Sequence, residues 1–423
     1  MLFQFGIAGY GQGWSSGWQT GWPTTQGGPI ETVIPPLGIL TGGSSRYNFP
    51  LGPGGINFSA GFRALYVDNV FLTQTDARND FVLIPECDLG AFFPIGRSNS
   101  LNLDLGLAYY DYLKNTSLNT GAPVISPDSE IAFHIRTGDF TLRFSESFSY
   151  QESPVYDEGA EFFNIYQAAL FRHYENIAGI TATWNLPDLV TEFGYHHDDL
   201  WSDGSFYNYV NHASELFDAN SMYAFSPLVT AGLETAASVN NFDHRSMEDN
   251  WRVRMGPALR LDVSQFFKVR VGAGYERIDY DSGSVKPFGV HPDDTYYAYA
   301  GVDHTINRVF SHSLEVSHDN QIGINAGNLA GTHVLYAFFW RPNHQATLSP
   351  HVSSHWFDES FGSGSSSLYH ERFTYVLGGF SARYQWDKHW RTTLSWDYRL
   401  KDSDIEGDGY GQNQVSLEGV YQF

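Results

Sequence analysis

The chain has 423 residues, of which 42% are hydrophobic, 16% aromatic and 17% charged, so it is too apolar to remain disordered. Its net charge of −23 argues against nucleic-acid binding, because neutralising phosphates requires a basic surface. No apolar run reaches about 18 residues, which excludes a membrane-spanning α-helix. The single cysteine, Cys87, excludes an internal disulfide and a cysteine-ligated zinc site.

Residues 1–55 form a Gly- and Pro-rich segment without regular alternation of apolar and polar residues. Gly-Trp pairs recur within it at Gly13-Trp14, Gly17-Trp18 and Gly21-Trp22. Exposed tryptophans are costly in water, so we expect this N-terminal extension to be a plug inside the main domain or a periplasmic docking arm. A flexible aromatic leader is the alternative.

Residues 56–423 alternate apolar with polar or small residues in segments of about ten or more, the pattern of transmembrane β-strands. In one segment, Leu101, Leu103, Leu105 and Leu107 share a face, and the opposite face is polar. The pattern recurs at 56–66, 251–263 and 390–399. A soluble β-sandwich or large soluble barrel also alternates with period 2. The charged opposite faces and the aromatic segment ends favour the membrane interpretation.

Short connectors alternate with long polar ones along residues 56–423. The short ones are 95–99, 137–139, 186–188, 264–266, 307–309, 342–344 and 387–389, and the long ones are 113–126, 151–170, 202–214, 281–293, 358–368 and 401–411. This rhythm predicts a single closed antiparallel β-barrel of about 18 strands, within a range of about 16 to 18. An even strand number predicts that both termini lie on the periplasmic side.

Residues 65–115 carry a family resemblance. Tyr66, the run from Asp68 to Thr73, Asp80-Phe81 and the stretch 101–112 resemble the opening hairpins of the β-barrel porin family of the second type. The rest of the chain resembles that family only in the spacing of its alternating segments and connectors. The resemblance implies a Gram-negative outer-membrane barrel that acts as a diffusion channel. It implies no catalytic residues, so we expect no enzyme activity.

Five basic residues are candidates for a selectivity element. They fall on two consecutive predicted strands, where parity directs them toward the lumen: Arg252, Arg254, Arg260, Lys268 and Arg270. If the turn centres on Gln265, the expected register partners are Asp262 with Lys268, Arg254 with Glu276, and Arg260 with Arg270. These residues form either a basic wall that tunes permeation or a structural group neutralised by neighbouring acids.

The loop around residues 402–409 resembles the first half of a calcium loop, with Asp402, Asp404 and Glu406 as candidate metal ligands. The closing bidentate glutamate is missing, because Asn413 stands at its position. A solvated acidic loop is therefore the favoured interpretation. We expect no cofactor apart from calcium bound at such external loops.

The cluster His196-His197-Asp198-Asp199 combines residue types found in protease and metal sites. Adjacent residues of a strand point to opposite faces, so only alternate members can cooperate. We find no further motif to complete a catalytic site. A structural or interfacial role is the favoured interpretation.

The last strand alternates through Val415, Leu417, Gly419, Tyr421 and Phe423. An alternating strand that closes on aromatic residues resembles the signal by which bacterial outer-membrane proteins are recognised for insertion. Tyr421 and Phe423 are therefore the candidate insertion signal.

The leading functional hypothesis is a porin-like channel for passive or weakly selective diffusion of small hydrophilic solutes. The alternative is a plugged structural or export-associated barrel that docks a periplasmic or surface partner. Expected partners are outer-membrane lipid, lipopolysaccharide and the barrel-assembly machinery, but not nucleic acid. A homo-oligomer is compatible with the sequence.

Overall fold

The computed structural model describes residues 47–119, 121–153, 171–204, 208–244, 249–280, 293–322, 328–363 and 367–423. Nearly all of the N-terminal extension lies outside these ranges, so its role as a plug or an arm stays a prediction. Its described part contains a short strand, Phe49–Leu51, which pairs with the first long strand. That long strand begins at Gly54, close to the predicted boundary at residue 56.

The described chain is built almost entirely of strands, with two short 3-10 helices at Thr116–Leu118 and Asn208–Val210. The strands are β1 (Phe49–Leu51), β2 (Gly54–Val67), β3 (Asp80–Ile95), β4 (Asn99–Ala108), β5 (Asp111–Tyr112), β6 (Val124–Ile125), β7 (Glu130–Thr137), β8 (Phe140–Ser153), β9 (Phe171–Asn185), β10 (Leu189–Ser202), β11 (His212–Ser226), β12 (Val229–Phe242), β13 (Asn250–Ser264), β14 (Phe267–Tyr280), β15 (Asp293–Thr305), β16 (Phe310–Ile322), β17 (Asn328–Trp340), β18 (Ala346–Ser363), β19 (Ser367–Gln385), β20 (Trp390–Ser403) and β21 (Tyr410–Gln422).

Eighteen of these strands close into one antiparallel barrel, which confirms the predicted fold. They are β2, β3, β4 and β7 to β21, and each pairs with the next along the chain. The barrel closes where β21 pairs with β2, from Ser59 opposite Gln422 to Val67 opposite Gln414. Strands β1, β5 and β6 are short additions to this cylinder. Within the described ranges, no helix has the length and apolar character needed to cross a membrane.

The start of β2 and the end of β21 lie at the same end of the barrel, where Phe423 N–H donates to the Phe58 carbonyl at 3.2 Å. We call this the terminal end and the opposite one the loop end. All seven predicted short connectors close hairpins at the terminal end. A further tight turn there, between β11 and β12, was not predicted. At the loop end the strands run further than predicted, since β18 continues to Ser363 and β19 begins at Ser367.

Three of the terminal-end turns share the same side-chain to backbone hydrogen-bond pattern. The side-chain oxygen of Asn307, Asn343 or Asp387 accepts two backbone N–H groups located two and three residues later, at 2.7 to 2.9 Å. Such a turn satisfies backbone donors that the ladder leaves open. The hairpin register is thereby fixed locally.

The two faces of the wall differ as the alternation predicts. Leu101, Leu103, Leu105 and Leu107 lie on the outward face of β4, and β3 places Cys87 opposite Leu107 on that same face. Exposed aromatic and aliphatic side chains continue this face around the barrel, including Phe144, Phe193, Phe217 and Trp396. This apolar exterior is what a lipid-facing wall requires.

Two apolar clusters lie on the inward face near the loop end. The first apolar cluster contains Leu65, Val67, Val70, Val82, Ile84, Ala108, Tyr110, Tyr112, Leu118 and Val124, with Phe71 packed against it. The second apolar cluster contains Phe357, Phe373, Tyr375 and Tyr410, with Leu72 and Leu377 packed against it. Both include residues of the connection between β2 and β3.

Candidate functional site: the inner wall of the barrel

The inward face of β12 to β16 carries a continuous group of charged and hydroxylated side chains. Contacts between strands that are not neighbours show that this face is concave. The Arg254 guanidinium of β13 lies 4.9 Å from the centre of the Tyr297 ring on β15. The Tyr299 hydroxyl of β15 donates to a Glu234 carboxylate oxygen on β12 at 2.7 Å.

The register of β13 and β14 agrees with the sequence prediction. Asp262 pairs with Lys268, Arg254 with Glu276, and Arg260 with Arg270. All five predicted basic residues therefore lie on the inward face, as alternation from the exposed Trp251, Val253 and Met255 requires.

The structure brings acids to the predicted basic residues. Arg260 pairs with Asp262 at 3.1 Å, and Arg270 lies 3.8 Å from both Asp303 on β15 and Glu315 on β16. Arg260 and Arg270 are therefore each compensated, although no acid stands between them in the register. Lys268 is exposed to the lumen beside Asp262.

Arg252 is the most deeply buried of the five basic residues. Arg252 is 1% exposed, and its Nη1 donates to the Asn320 carbonyl on β16 at 3.3 Å. The Asn320 amide in turn donates to Glu276 at 2.9 Å. Arg254 lies within electrostatic range of Asp218, Glu234 and Glu276.

Two glycines on β14 make room for the tyrosines of β15. A Cβ atom at Gly272 would lie 2.4 Å from the Tyr299 ring, and one at Gly274 would lie 2.5 Å from the Tyr297 ring. The rings therefore lie flat over bare backbone, which lets the Tyr299 hydroxyl reach β12. We call the two tyrosines over Gly272 and Gly274 the tyrosine platform, and sequence reasoning missed it. Tyr297 and Tyr299 are two residues apart, as are the two glycines, so the members of each pair share one face of their strand.

Acids dominate the inward face of β10 to β12. Glu192 on β10 pairs in register with Asn220 on β11, which pairs with Glu234 on β12, and Asp218 lies one inward position further along β11. Asp218 is 6% exposed and lies over Gly194, where a Cβ would be only 1.8 Å from its Oδ1. This acidic wall faces the same lumen as the basic residues of β13 and β14.

A second charged group lies at the seam between β21 and β2. Arg63 contacts Glu86 at 3.2 Å and Glu418 at 3.7 Å, and Arg391 contacts Glu418 at 3.3 Å. The Ser59 hydroxyl donates to Asp88 at 2.9 Å. Alternation places each of these residues inward, but their grouping depends on closure of the barrel and was not predicted.

Histidines also line the inward face, on β17 and β18. His333 Nδ1 lies 2.7 Å from His355 Nδ1, and His333 Nε2 lies 3.1 Å from the Asp319 carboxylate. His351 lies 3.1 Å from Asp397 on β20. His333 thus links β16 to β18, and the contact of His351 reaches across β19 to β20.

The histidine and aspartate cluster of β10 divides between the two faces. Its inward members, His196 and Asp198, are buried. On the outward face, His197 contacts Glu215 at 3.0 Å and Asp199 at 3.1 Å. The four residues do not converge on one point.

The candidate calcium ligands lie around the connection between β20 and β21. Asp404 is held by β19, because its Oδ1 accepts the Arg372 N–H at 2.9 Å. Asp402 pairs with Thr374 on the outward face, and Glu406 is exposed. Among the described residues, no group of three or more His, Cys, Asp or Glu side chains is arranged to hold a metal ion, so the structure does not bring Asp402, Asp404 and Glu406 together.

The candidate insertion signal lies in an outward aromatic group at the terminal end. The Tyr421 ring lies 5.0 Å from Trp390 and 4.9 Å from Phe423, and Phe423 lies 5.1 Å from Phe58. Aromatic residues at this height are typical of the interface between lipid and water.

No family model matches the sequence, and no curated protein matches it. Among solved structures, the chain is similar to Pseudomonas aeruginosa OpdQ, with 8% identity, a TM-score of 0.50, and coverage of 88% of this chain and 99% of OpdQ. It also aligns with the P. aeruginosa outer-membrane protein OpdK, with 10% identity, a TM-score of 0.46, and coverage of 87% of this chain and 99% of OpdK. A third alignment, with P. aeruginosa OccK2 (OpdF), has 10% identity, a TM-score of 0.49, and coverage of 87% and 98%. At 8% identity, the likeness to OpdQ shows the fold alone.

Proposed function

We propose that this protein is a Gram-negative outer-membrane channel through which small hydrophilic solutes diffuse passively or with weak selectivity. The observation that carries the proposal is the contrast between the two faces of one closed wall. The outward face is apolar with an aromatic end, and the inward face of β10 to β16 carries acids, arginines and tyrosines. Barrels of about this strand number enclose an aqueous lumen.

The wall chemistry supports diffusion rather than catalysis. Its charged side chains are spread along many strands and are mostly engaged by opposite charges, as in the pairs of Arg260 with Asp262 and Arg270 with Glu315. We therefore propose a channel without catalytic activity.

We propose weak cation preference for this channel. The acids Asp218 and Glu234 share the inward face and lie within electrostatic range of Arg254 on β13, and Glu192 lies within electrostatic range of Arg143 on β8. The basic residues nearer the terminal end are compensated by acids. A net acidic wall attracts cations and repels anions.

We further propose that both termini lie on the periplasmic side and that the chain is a member of the β-barrel porin family of the second type. Eight tight turns of the described chain lie at the terminal end, and bacterial barrels place short turns in the periplasm. The barrel-assembly machinery would read β21 from that side. Lipid and lipopolysaccharide would surround the outward face, and a homo-oligomer stays a prediction.

The test is the conductance of purified, folded protein in planar bilayers. Discrete, ohmic channel openings would support the proposal, together with reversal potentials that show a higher permeability for cations than for anions. Insertion of folded protein without any conductance would contradict it and favour a plugged barrel that serves a partner.

A further inference from the structure

The two rings of the tyrosine platform lie over β14 in the same way but differ in what lies above them. Tyr297 lies over Gly274 and has the Arg254 guanidinium 4.9 Å from its ring centre, whereas within the described ranges no arginine or lysine is stacked on the Tyr299 ring. We propose that the Tyr299 ring and the Glu234 carboxylate form a lumen site for weakly hydrated organic cations, such as guanidinium and quaternary ammonium compounds. This inference rests on the proposed channel function and names a solute class for it.

The first evidence is the common geometry of the two rings. The register pairs Tyr297 with Gly274 and Tyr299 with Gly272. A Cβ at either glycine would lie within 2.5 Å of the ring, so one side of each ring lies directly on the backbone. The tyrosines are two residues apart, so both rings lie on the inward face. The other side of each ring is therefore turned toward the lumen.

The second evidence is that Arg254 shows which chemical group the lumen side of such a ring accepts. A guanidinium is a flat and weakly hydrated cation, and the negative face of an aromatic ring attracts it. With Arg254 above it, Tyr297 is only 3% exposed. Tyr299 is partly exposed, so the corresponding side of its ring stays accessible to a solute.

Each half of the platform also has an acid. Arg254 pairs in register with Glu276 beside Tyr297, and the Tyr299 hydroxyl donates to Glu234 at 2.7 Å. This bond fixes the orientation of the Tyr299 ring and places a carboxylate at its edge. The two halves thus share a ring and an acid, but the protein supplies the cation in only one of them.

The charges around Tyr299 favour a cation. Arg270 is the next inward residue of β14, but Asp303 and Glu315 each lie 3.8 Å from its guanidinium. With Glu234, these residues are three acids against one base. The surroundings of Tyr299 therefore attract cations and repel anions.

The ring adds a preference among cations that an acidic wall alone does not have. Small inorganic cations such as sodium hold their water tightly, and an aromatic face offers no oxygen ligand in its place. Guanidinium and quaternary ammonium groups are weakly hydrated, so they gain more from contact with the ring. The site should therefore prefer these organic cations to sodium, although their charge is the same.

The experiment titrates the folded protein in detergent micelles with tetramethylammonium chloride and follows the methyl resonance by saturation-transfer NMR. Wild type should bind the ion, and tert-butanol should bind more weakly, because it has methyl groups but no charge. Tyr299→Leu should raise the dissociation constant about two- to fivefold, the factor that corresponds to one exposed cation–π contact. Tyr299→Phe keeps the ring and should stay within about twofold of wild type.

Tyr296→Leu is the matched control, because Tyr296 lies on the same strand with 59% exposure on the outward face. Its dissociation constant should equal that of wild type. Glu234→Gln covers the case in which Tyr299→Leu does not fold, because it keeps an acceptor for the Tyr299 hydroxyl while it removes the charge. It should weaken binding of the ion. Equal dissociation constants in wild type and in the folded variants at Tyr299 and Glu234 would overturn the inference.

Currents in planar bilayers separate this inference from the channel proposal. Tetramethylammonium added to sodium chloride should reduce the sodium current of wild type more than that of Tyr299→Leu. A silent wild type that still binds the ion through Tyr299 would overturn the channel proposal and support the site. A conducting wild type whose binding and block by the ion do not depend on Tyr299 would overturn the site and leave the channel proposal intact.

Discussion

Arg260 and Arg270 are register partners on adjacent strands, yet each guanidinium turns away from the other toward its own acid. Arg260 meets Asp262 on its own strand, and Arg270 meets Asp303 and Glu315 on the next two strands. Two like charges that face each other across a ladder are thereby tolerated. The two arginines therefore stabilise the wall through their ion pairs as well as adding positive charge to the lumen.

The double variant Arg260→Gln/Arg270→Gln should shift ion selectivity toward cations. It leaves Asp262, Asp303 and Glu315 without their bases, so the local wall becomes more acidic. We expect the cation-to-anion permeability ratio to rise by about twofold or more, measured as a reversal potential across a salt gradient. Arg372→Gln is the control, since that side chain is 69% exposed on the outward face. An unchanged reversal potential would show that the pair does not contribute to the permeation field.

An arginine on the two faces of β4 should have opposite consequences. Leu103→Arg places a charge in lipid and should lower the free energy of unfolding by about 2 to 4 kcal/mol if it lies near the midplane. Asn102→Arg places it in the lumen beside Asp104 and should cost little. Urea titration of the barrel in liposomes measures both. Equal destabilisation by the two variants would contradict the assignment of faces.

Gly272→Ala should disable the tyrosine platform without touching a charged residue. The new methyl group would collide with the Tyr299 ring, break its bond to Glu234, and cost about 1 to 3 kcal/mol of stability. Selectivity should change in the same direction as in Tyr299→Phe, which removes the same hydrogen bond. Gly419→Ala is the control, because nothing lies within 4 Å of its Cβ position. If the reversal potentials of Gly272→Ala and Tyr299→Phe shift in opposite directions from wild type, the tyrosine platform does not act through Glu234.

Deletion of Phe423 should reduce the amount of barrel inserted in the outer membrane. Its side chain is 45% exposed, so loss of packing alone should destabilise the folded barrel only slightly. Heat-modifiable protein in membrane fractions measures insertion, and refolding in detergent measures intrinsic stability. A normal insertion level in the deletion variant would argue against a signal at this residue, whereas Phe423→Tyr should insert normally.

Alternation predicted the faces of the wall, because a period of two leaves each residue only one side, and a turn centred on Gln265 predicted the register of β13 and β14. Alternation could not predict how the connection from Asp68 to Asn79, between β2 and β3, would pack. Leu72 of this segment packs against a cluster that contains Phe357 and Tyr410, which lie far away in sequence. Only closure of the barrel brings these residues together. The seam group of Arg63, Glu86 and Glu418 was missed for the same reason.

The sequence alone also could not show which acids on other strands compensate the basic residues. Asp303 and Glu315 reach Arg270 because the wall curves, and curvature brings next-nearest strands within side-chain reach. The candidate calcium loop illustrates the opposite case. Its acids have suitable spacing, but Asp404 is drawn to the backbone of Arg372 on the neighbouring strand.

The pairing of β2 with β21 has a kinetic consequence. Every other long strand pairs with strands that are next to it along the chain, so one of its two ladders can form as a local hairpin closed by a tight turn. The seam instead joins Ser59 to Gln422, and the entropy of closing that loop falls on the final step. Until then two edge strands with unpaired amides stay open to aggregation or to a chaperone that supplies a strand of its own. Weakening the seam should therefore slow assembly more than it lowers the stability of the finished barrel.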